Sequence, residues 1–97
     1  VRVVWSSQAD QQVTEAVEFI ASDRPSAARR WLEGMLEQVK SLAAFPDSGR
    51  VVPELEQDDV RELLLDPDRI VYRRGTDLVE VVTVWHMRRE FPVDALE

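Results

Sequence analysis

Residues 60–86 read VRELLLDPDRIVYRRGTDLVEVVTVWH, and this stretch decides the fold. Val60 to Leu65 predicts a strand, and Asp66-Pro67-Asp68 a turn. Arg69 to Arg74 predicts a second strand, Gly75-Thr76-Asp77 a second turn, and Leu78 to His86 a long third strand. Aliphatic and β-branched residues suit a pleated surface. Three such runs separated by short turns predict an antiparallel meander.

Upstream of it the period of the pattern is helical. Arg2 to Trp5 reads as a short first strand, since Val3, Val4 and Trp5 are good strand formers. Ser6-Ser7 offers a helix cap, with Ser7 and Asp10 fitting the S/T-x-x-D/E capping pattern. Ala9, Val13, Ala16, Val17 and Ile20 then recur at helical spacing. Ser22-Asp23-Arg24 interrupts them, and Pro25 opens a second helix, where its missing N–H costs nothing. Ala28, Leu32, Met35, Val39 and Leu42 continue one stripe, widened by Trp31, Leu36 and Phe45. The short connection makes the two helices antiparallel neighbours. Pro46-Asp47-Ser48-Gly49 ends the second helix, and residues 50–59 read as an acidic loop. The expected fold is α+β: a helical hairpin packed on a curved antiparallel sheet, in the order β-α-α-β-β-β, forming a single domain over residues 1–97.

Composition narrows the chemistry. The chain has 97 residues and no cysteine, so thiolate catalysis and cysteine-bound zinc are excluded. One histidine, His86, cannot make a histidine-rich metal site, so no metal and no cofactor are expected. No apolar run is long enough for a membrane span, nor do the first residues read as a secretory signal; a cytoplasmic protein is expected. The net charge of −7 disfavours generic nucleic-acid binding, which draws on basic surface. Yet the six basic residues after position 60 are all arginines: Arg61, Arg69, Arg73, Arg74, Arg88 and Arg89. They make an arginine-lined patch on an acidic body possible.

Several phrases, in order, resemble the RelE/ParE toxins. Leu42-Ala43-Ala44-Phe45-Pro46-Asp47-Ser48-Gly49-Arg50 resembles that superfamily's L-x-x-F-P-x-x-G-R stretch. Val60-Arg61-Glu62-Leu63 resembles its R-E-L strand, Arg69-Ile70-Val71-Tyr72-Arg73 its R-I-V-Y-R strand, and Val84-Trp85-His86-Met87-Arg88-Arg89 its V-x-H-x-R-R ending. The ParE-like branch fits better than the RelE-like one.

The resemblance implies the toxic half of a type II toxin–antitoxin pair. Its partners would be a cognate antitoxin and, for a ParE-like member, DNA gyrase, which it poisons without catalysing a reaction. Operator DNA would be contacted only through the antitoxin. A RelE-like member would instead be a ribosome-dependent endoribonuclease acting on mRNA, and a third reading is a weakened toxin that only binds its antitoxin. A ribonuclease needs a base, an acid and cations around the scissile phosphate. Arg69 and Arg88 fall where the resemblance puts phosphate-binding arginines; His86 could serve as acid and Glu54 or Glu56 as base. Residues 50–65 hold no lysine, however, and residues 90–97 no tyrosine, so that set is incomplete.

The target-binding surface is therefore expected at Arg61, Arg69, Arg73, Trp85, His86, Arg88 and Arg89, and the antitoxin surface at Trp31, Met35, Leu36 and Phe45, since interface anchors are commonly aromatic. Strict alternation would put Val82, Val84 and His86 on one face of the last strand and Val81, Thr83 and Trp85 on the other. Antiparallel pairing would then gather Arg69, Arg88 and Arg89 around His86 at one corner. Such a cluster needs an offsetting anion, either an external one or Asp66, Asp68 or Glu90. Two readings of Arg69 stand, a functional cation or a strand-edge tie to Asp66 or Asp68. Arg69→Ala and Arg88→Ala are each expected to reduce toxicity while leaving the fold and antitoxin binding intact, since truncating an exposed arginine shifts stability by no more than about 0.5 kcal/mol. Tyr72 and Trp31 read as core aromatics, His86 as a structural histidine or an acid, and the acids of residues 54–59 as loop solvation.

Overall fold

The computed structural model describes residues 1–96, with side chains through Asp94. The elements are β1 (Arg2–Trp5), α1 (Ser7–Ala21), α2 (Pro25–Ser41), β2 (Arg50–Val51), β3 (Val60–Leu65), β4 (Asp68–Arg74), β5 (Leu78–His86) and α3 (Val93–Leu96). The expected α+β hairpin-on-sheet is present. Two short elements are additional: β2 within the expected loop, and α3 in the tail.

The two long helices start where the sequence marks them. Ser6 rather than Ser7 caps α1: its backbone is still extended, and its Oγ accepts from the Ala9 N–H at 3.0 Å. The same hydroxyl donates to the Val82 carbonyl at 2.9 Å, tying the helix start to β5. Pro25 opens α2, which has no side-chain cap and buries Ala28, Met35 and Val39.

The sheet runs β1-β5-β4-β3-β2. The meander pairs antiparallel as read. β1 corrects the expectation of a wholly antiparallel sheet, because it lies parallel to β5, Arg2 opposite Leu78 and Trp5 opposite Val81. A tight turn forces antiparallel pairing, whereas a long crossover permits either direction. β1 reaches β5 only after both helices and three strands, so the sequence did not constrain its direction.

Both faces of the sheet are covered. The helices close one face over Ala9, Val13, Met35, Val39, Ile70 and Val81. On the other, Val52, Val60, Val71 and Phe91 make a second buried cluster, packed by Leu55, Val82, Trp85 and Val93. The segment after β2 and the chain's tail thus form a partial third layer.

A bulge in β5 decides which residues reach which layer. The register passes from Val71 opposite Thr83 to Tyr72 opposite Val81, leaving Val82 unpaired. An extra residue shifts the alternation by one. Val81 and Val84 therefore pack on the helix side, while Val82 and Trp85 pack in the second cluster. The expected grouping of Val82 with Val84 fails for that reason.

Candidate functional site

The second face carries most of the arginine chemistry, and it is built outward from a turn. Tyr72 is fully buried, and its hydroxyl donates to the Pro46 carbonyl at 2.8 Å and accepts from the Gly49 N–H at 2.9 Å. Burial pushes the Tyr72 phenol up, so it stays protonated and keeps its donor role. Arg61 donates to the carbonyls of Gly49 at 2.9 Å and Asp58 at 3.1 Å. The stretch after α2 is thereby fixed to β3 and β4, and Arg50 enters the sheet opposite Glu62.

Glu62 has no exposed side-chain surface. Its two oxygens accept from different arginines: Oε1 from Arg69 Nε and Oε2 from Arg50 Nε, each at 2.6 Å. The end of the Arg69 guanidinium then grips Glu54 with two bonds of 2.7 Å. Phe91 lies against the same cation, 4.3 Å from ring centre to guanidinium carbon. Two arginines and two carboxylates make a neutral, hydrogen-bonded group, which is how buried charge becomes tolerable. Hydrogen bonding from Arg69 holds the Glu54 carboxyl below its ordinary range, and the same partnership holds Arg69 firmly protonated.

This geometry corrects three expectations. Arg69 is not an exposed cation; only 10% of its side chain is accessible. Its offsets are Glu54 and Glu62, not Asp66 or Asp68. Glu54, expected as a free carboxylate, has both oxygens bound by Arg69. Arg61 and Arg73 also have internal work: Arg61 braces the turn, and Arg73 pairs with Asp59 at 3.4 Å.

The corner at the end of β5 is only partly assembled. Asp68 stands opposite His86 and Arg69 opposite Trp85, as antiparallel pairing requires. But the side chains separate onto the two faces. Asp68 accepts from Trp31 Nε1 at 3.0 Å on the helix side, and burial raises its pKa. Arg69 joins the second face with Trp85. Arg89 stacks over the Trp85 ring at 4.4 Å, and Trp85 Nε1 donates to the Arg89 carbonyl. The backbone N–H of Arg88 donates to His86 Nδ1 at 3.1 Å, which assigns the ring's remaining proton to Nε2 when it is neutral. Arg88 and Arg89 remain exposed.

Next to the ion-pair group lies an open cleft of about 290 Å³, lined by Arg50, Pro53, Glu54, Leu64, Arg69 and Met87. The sequence did not mark Arg50 as a site residue. Its side chain is 56% exposed, and its terminal amino groups have no partner among the described residues. The only advance signal was its position in the G-R phrase.

The expected antitoxin anchors divide in the same way. Met35 is fully buried in the helix–sheet core and has no surface to offer. Trp31 is partly buried and tied to Asp68. Leu36 and Phe45 are exposed. Leu36 borders a groove of about 430 Å³ with Trp5, Val13, Val17 and Leu32. Sequence reasoning missed the α1 and β1 walls of that groove because helical stripes of this kind are normally sealed core. Among the described residues, no group of three His, Asp or Glu side chains is disposed to hold a metal ion.

Comparison with known proteins converges on one family. Residues 3–91 match the family described as the ParE toxin of the type II toxin–antitoxin system parDE. A putative toxin of Sinorhizobium fredii, Y4kP, is 34% identical over 93 residues, covering 94% of this chain and 93% of that protein. Toxin RelE2 of Caulobacter vibrioides is 30% identical over 89 residues, covering 91% and 97%. A solved chain from the chromosomal ParDE system of P. aeruginosa superposes with a TM-score of 0.76 at 20% identity, covering 91% of this chain and 97% of that one.

Proposed function

The chain belongs to the ParE toxin family of type II toxin–antitoxin systems, and from that premise we propose that it poisons DNA gyrase by binding, catalyses no reaction itself, and is silenced by a cognate antitoxin. One observation carries the choice against RNA cleavage. The candidate base, Glu54, and the candidate phosphate-binding arginine, Arg69, are bound to each other by two 2.7 Å bonds. In this resting conformation neither is free for a phosphate or a 2′-hydroxyl. The absence of lysine from residues 50–65 and of tyrosine from residues 90–97 supports the same reading.

Gyrase is met at the corner of Trp85, His86, Arg88 and Arg89, together with the cleft bordered by Arg50. The antitoxin lays an amphipathic segment along the hairpin groove beside Leu36 and Phe45, the helix-in-groove mode of recognition. A toxin with this target works in the cytoplasm, and none of the described helices is long and apolar enough to cross a membrane.

Induction of the toxin without its antitoxin tests the target. The expected outcome is a DNA-damage response and arrested replication before any change in mRNA, with purified toxin inhibiting gyrase in vitro. Prompt codon-phased cuts in cellular transcripts, with gyrase unaffected, would replace this reading with that of a ribosome-dependent endoribonuclease.

A further inference from the structure

The Glu54–Arg69 pair has the form of an occupied binding site. Its carboxylate comes from a loop, not from the sheet. Val52 and Leu55 anchor that loop in the second cluster, while Glu54 projects between them and reaches Arg69 from the side of the open cleft. Its side chain stays 37% exposed, in contrast to the sealed Glu62. Glu56, two residues on, has a φ of 53°, a left-handed backbone that a non-glycine residue adopts at a cost. The loop thus accepts a disfavoured geometry in the conformation that delivers Glu54. Around the carboxylate the cleft is unfilled. Leu64 and Met87 expose apolar surface at its walls, and the Arg50 amino groups have no partner among the described residues.

We propose that Arg69 and Arg50 form a carboxylate-recognition site whose resting occupant is the chain's own Glu54, and that an acidic side chain on an extended segment of a partner protein takes its place. The inference rests on the reading of the chain as a protein-binding toxin. Arginine and carboxylate match as forks, so one carboxylate substitutes for another without rearranging the guanidinium. The aliphatic walls suit a peptide with an apolar residue beside its acid, and the resting occupant, Pro53-Glu54-Leu55, has that character. A polyanionic nucleic acid is the poorer match, since the chain carries a net charge of −7 and the cleft lining offers no aromatic ring for a base. Glu54 stays charged at neutral pH, so the site opens by competition and not by protonation.

The test uses a fluorescent peptide copying residues 52–58, VPELEQD, titrated into the full chain and followed by anisotropy. A tethered competitor acts at roughly millimolar effective concentration. Its removal in Glu54→Ala should therefore tighten peptide binding at least about tenfold over wild type, with Glu54→Gln giving an intermediate gain. A peptide carrying glutamine at its first glutamate should lose that gain, as should Arg50→Ala in the Glu54→Ala background. Because the peptide control leaves the protein unchanged, it decides the matter even if a variant folds poorly. Equal affinity for wild type and Glu54→Ala, or indifference to the glutamine peptide, overturns the proposal. So does displacement of the peptide by a short oligouridylate at lower concentration than by unlabelled peptide, which would assign the site to nucleic acid. Gyrase inhibition is measured in parallel, and Glu54→Ala should inhibit at several-fold lower concentration than wild type. If the peptide binds as expected but neither protein inhibits gyrase, the carboxylate site stands and the gyrase assignment falls.

Discussion

The two faces of the sheet are closed by different physics. On the helix face, two amphipathic helices press aliphatic side chains onto Ile70 and Val81, and polar ties are sparse. Gln12 Oε1 accepts from Thr83 Oγ1 and from the Val84 N–H, both at 2.9 Å, and Trp31 reaches Asp68. The opposite face has a smaller apolar cluster, and much of its cohesion comes from the Arg50–Glu62–Arg69–Glu54 group. Apolar packing is non-directional and tolerates exchange of similar shapes. A buried ion-pair group tolerates little, because removing one member strands the charge of another.

That contrast is sharpest at two neighbours on β4, Ile70 and Arg69, which face opposite layers. Arg69→Ala leaves the sealed Glu62 with Arg50 alone and Glu54 with neither of its bonds. The expected loss is about 3–5 kcal/mol, well above the half kilocalorie anticipated for an exposed arginine. Thermal melting should fall by at least about 12 °C in a domain of this size. Ile70→Ala should cost about 2–5 kcal/mol by cavity formation. The two differ in rescue. Arg69→Met combined with Glu62→Leu removes the sealed charge, leaves only the partly exposed Glu54 and Arg50 to solvent, and should regain much of the loss. An Arg69→Ala protein that melts within a degree or two of wild type would erase the distinction between the faces.

A smaller effect is expected at the turn that joins the faces. A Cβ at Gly49 would lie 2.6 Å from both the Glu62 carbonyl oxygen and the Tyr72 hydroxyl. Gly49→Ala should therefore cost about 1–3 kcal/mol through overpacking, read as a shifted denaturant midpoint. Adding Tyr72→Phe should not restore stability, because the backbone carbonyl remains in the way. Full recovery in the double variant would mean that the hydroxyl alone sets the spacing.

How much of this was legible follows from the range over which sequence patterns act. The helices and the meander repeat every 3.6 or 2 residues, so their apolar stripes declare them locally. The direction of β1 and the bulge at Val82 have no such period, and both escaped. Arg69 was singled out, but its partners lie 7 and 15 residues away, with a turn and a loop between. Only the folded register brings them within reach. Three of the four phrases that carried the family resemblance turn out to be one connected structure. Pro46 and Gly49 hold Tyr72, Arg61 braces Gly49, and Arg50 and Arg69 share Glu62. They mark the fold more directly than they mark a target.

The smallest stability effect, and the most direct report on target binding, belongs to Arg88. Its backbone N–H satisfies His86 Nδ1, and that bond survives truncation of the side chain. The guanidinium is exposed and has no partner among the described residues. Arg88→Ala should therefore change stability by no more than about 0.5 kcal/mol and shift the melt by less than about 4 °C. Arg89 differs by its stacking on Trp85, so part of any Arg89→Ala effect would be lost packing. Arg88 is thus the cleaner probe of the corner. If the corner meets gyrase, Arg88→Ala should raise the concentration needed for half-inhibition roughly tenfold while antitoxin affinity stays unchanged, since the hairpin groove is lined by other elements. An equal loss of both affinities would merge the two surfaces into one. Undiminished toxicity in Arg88→Ala alongside lost toxicity in Arg50→Ala would move the target surface from the end of β5 to the cleft beside β2.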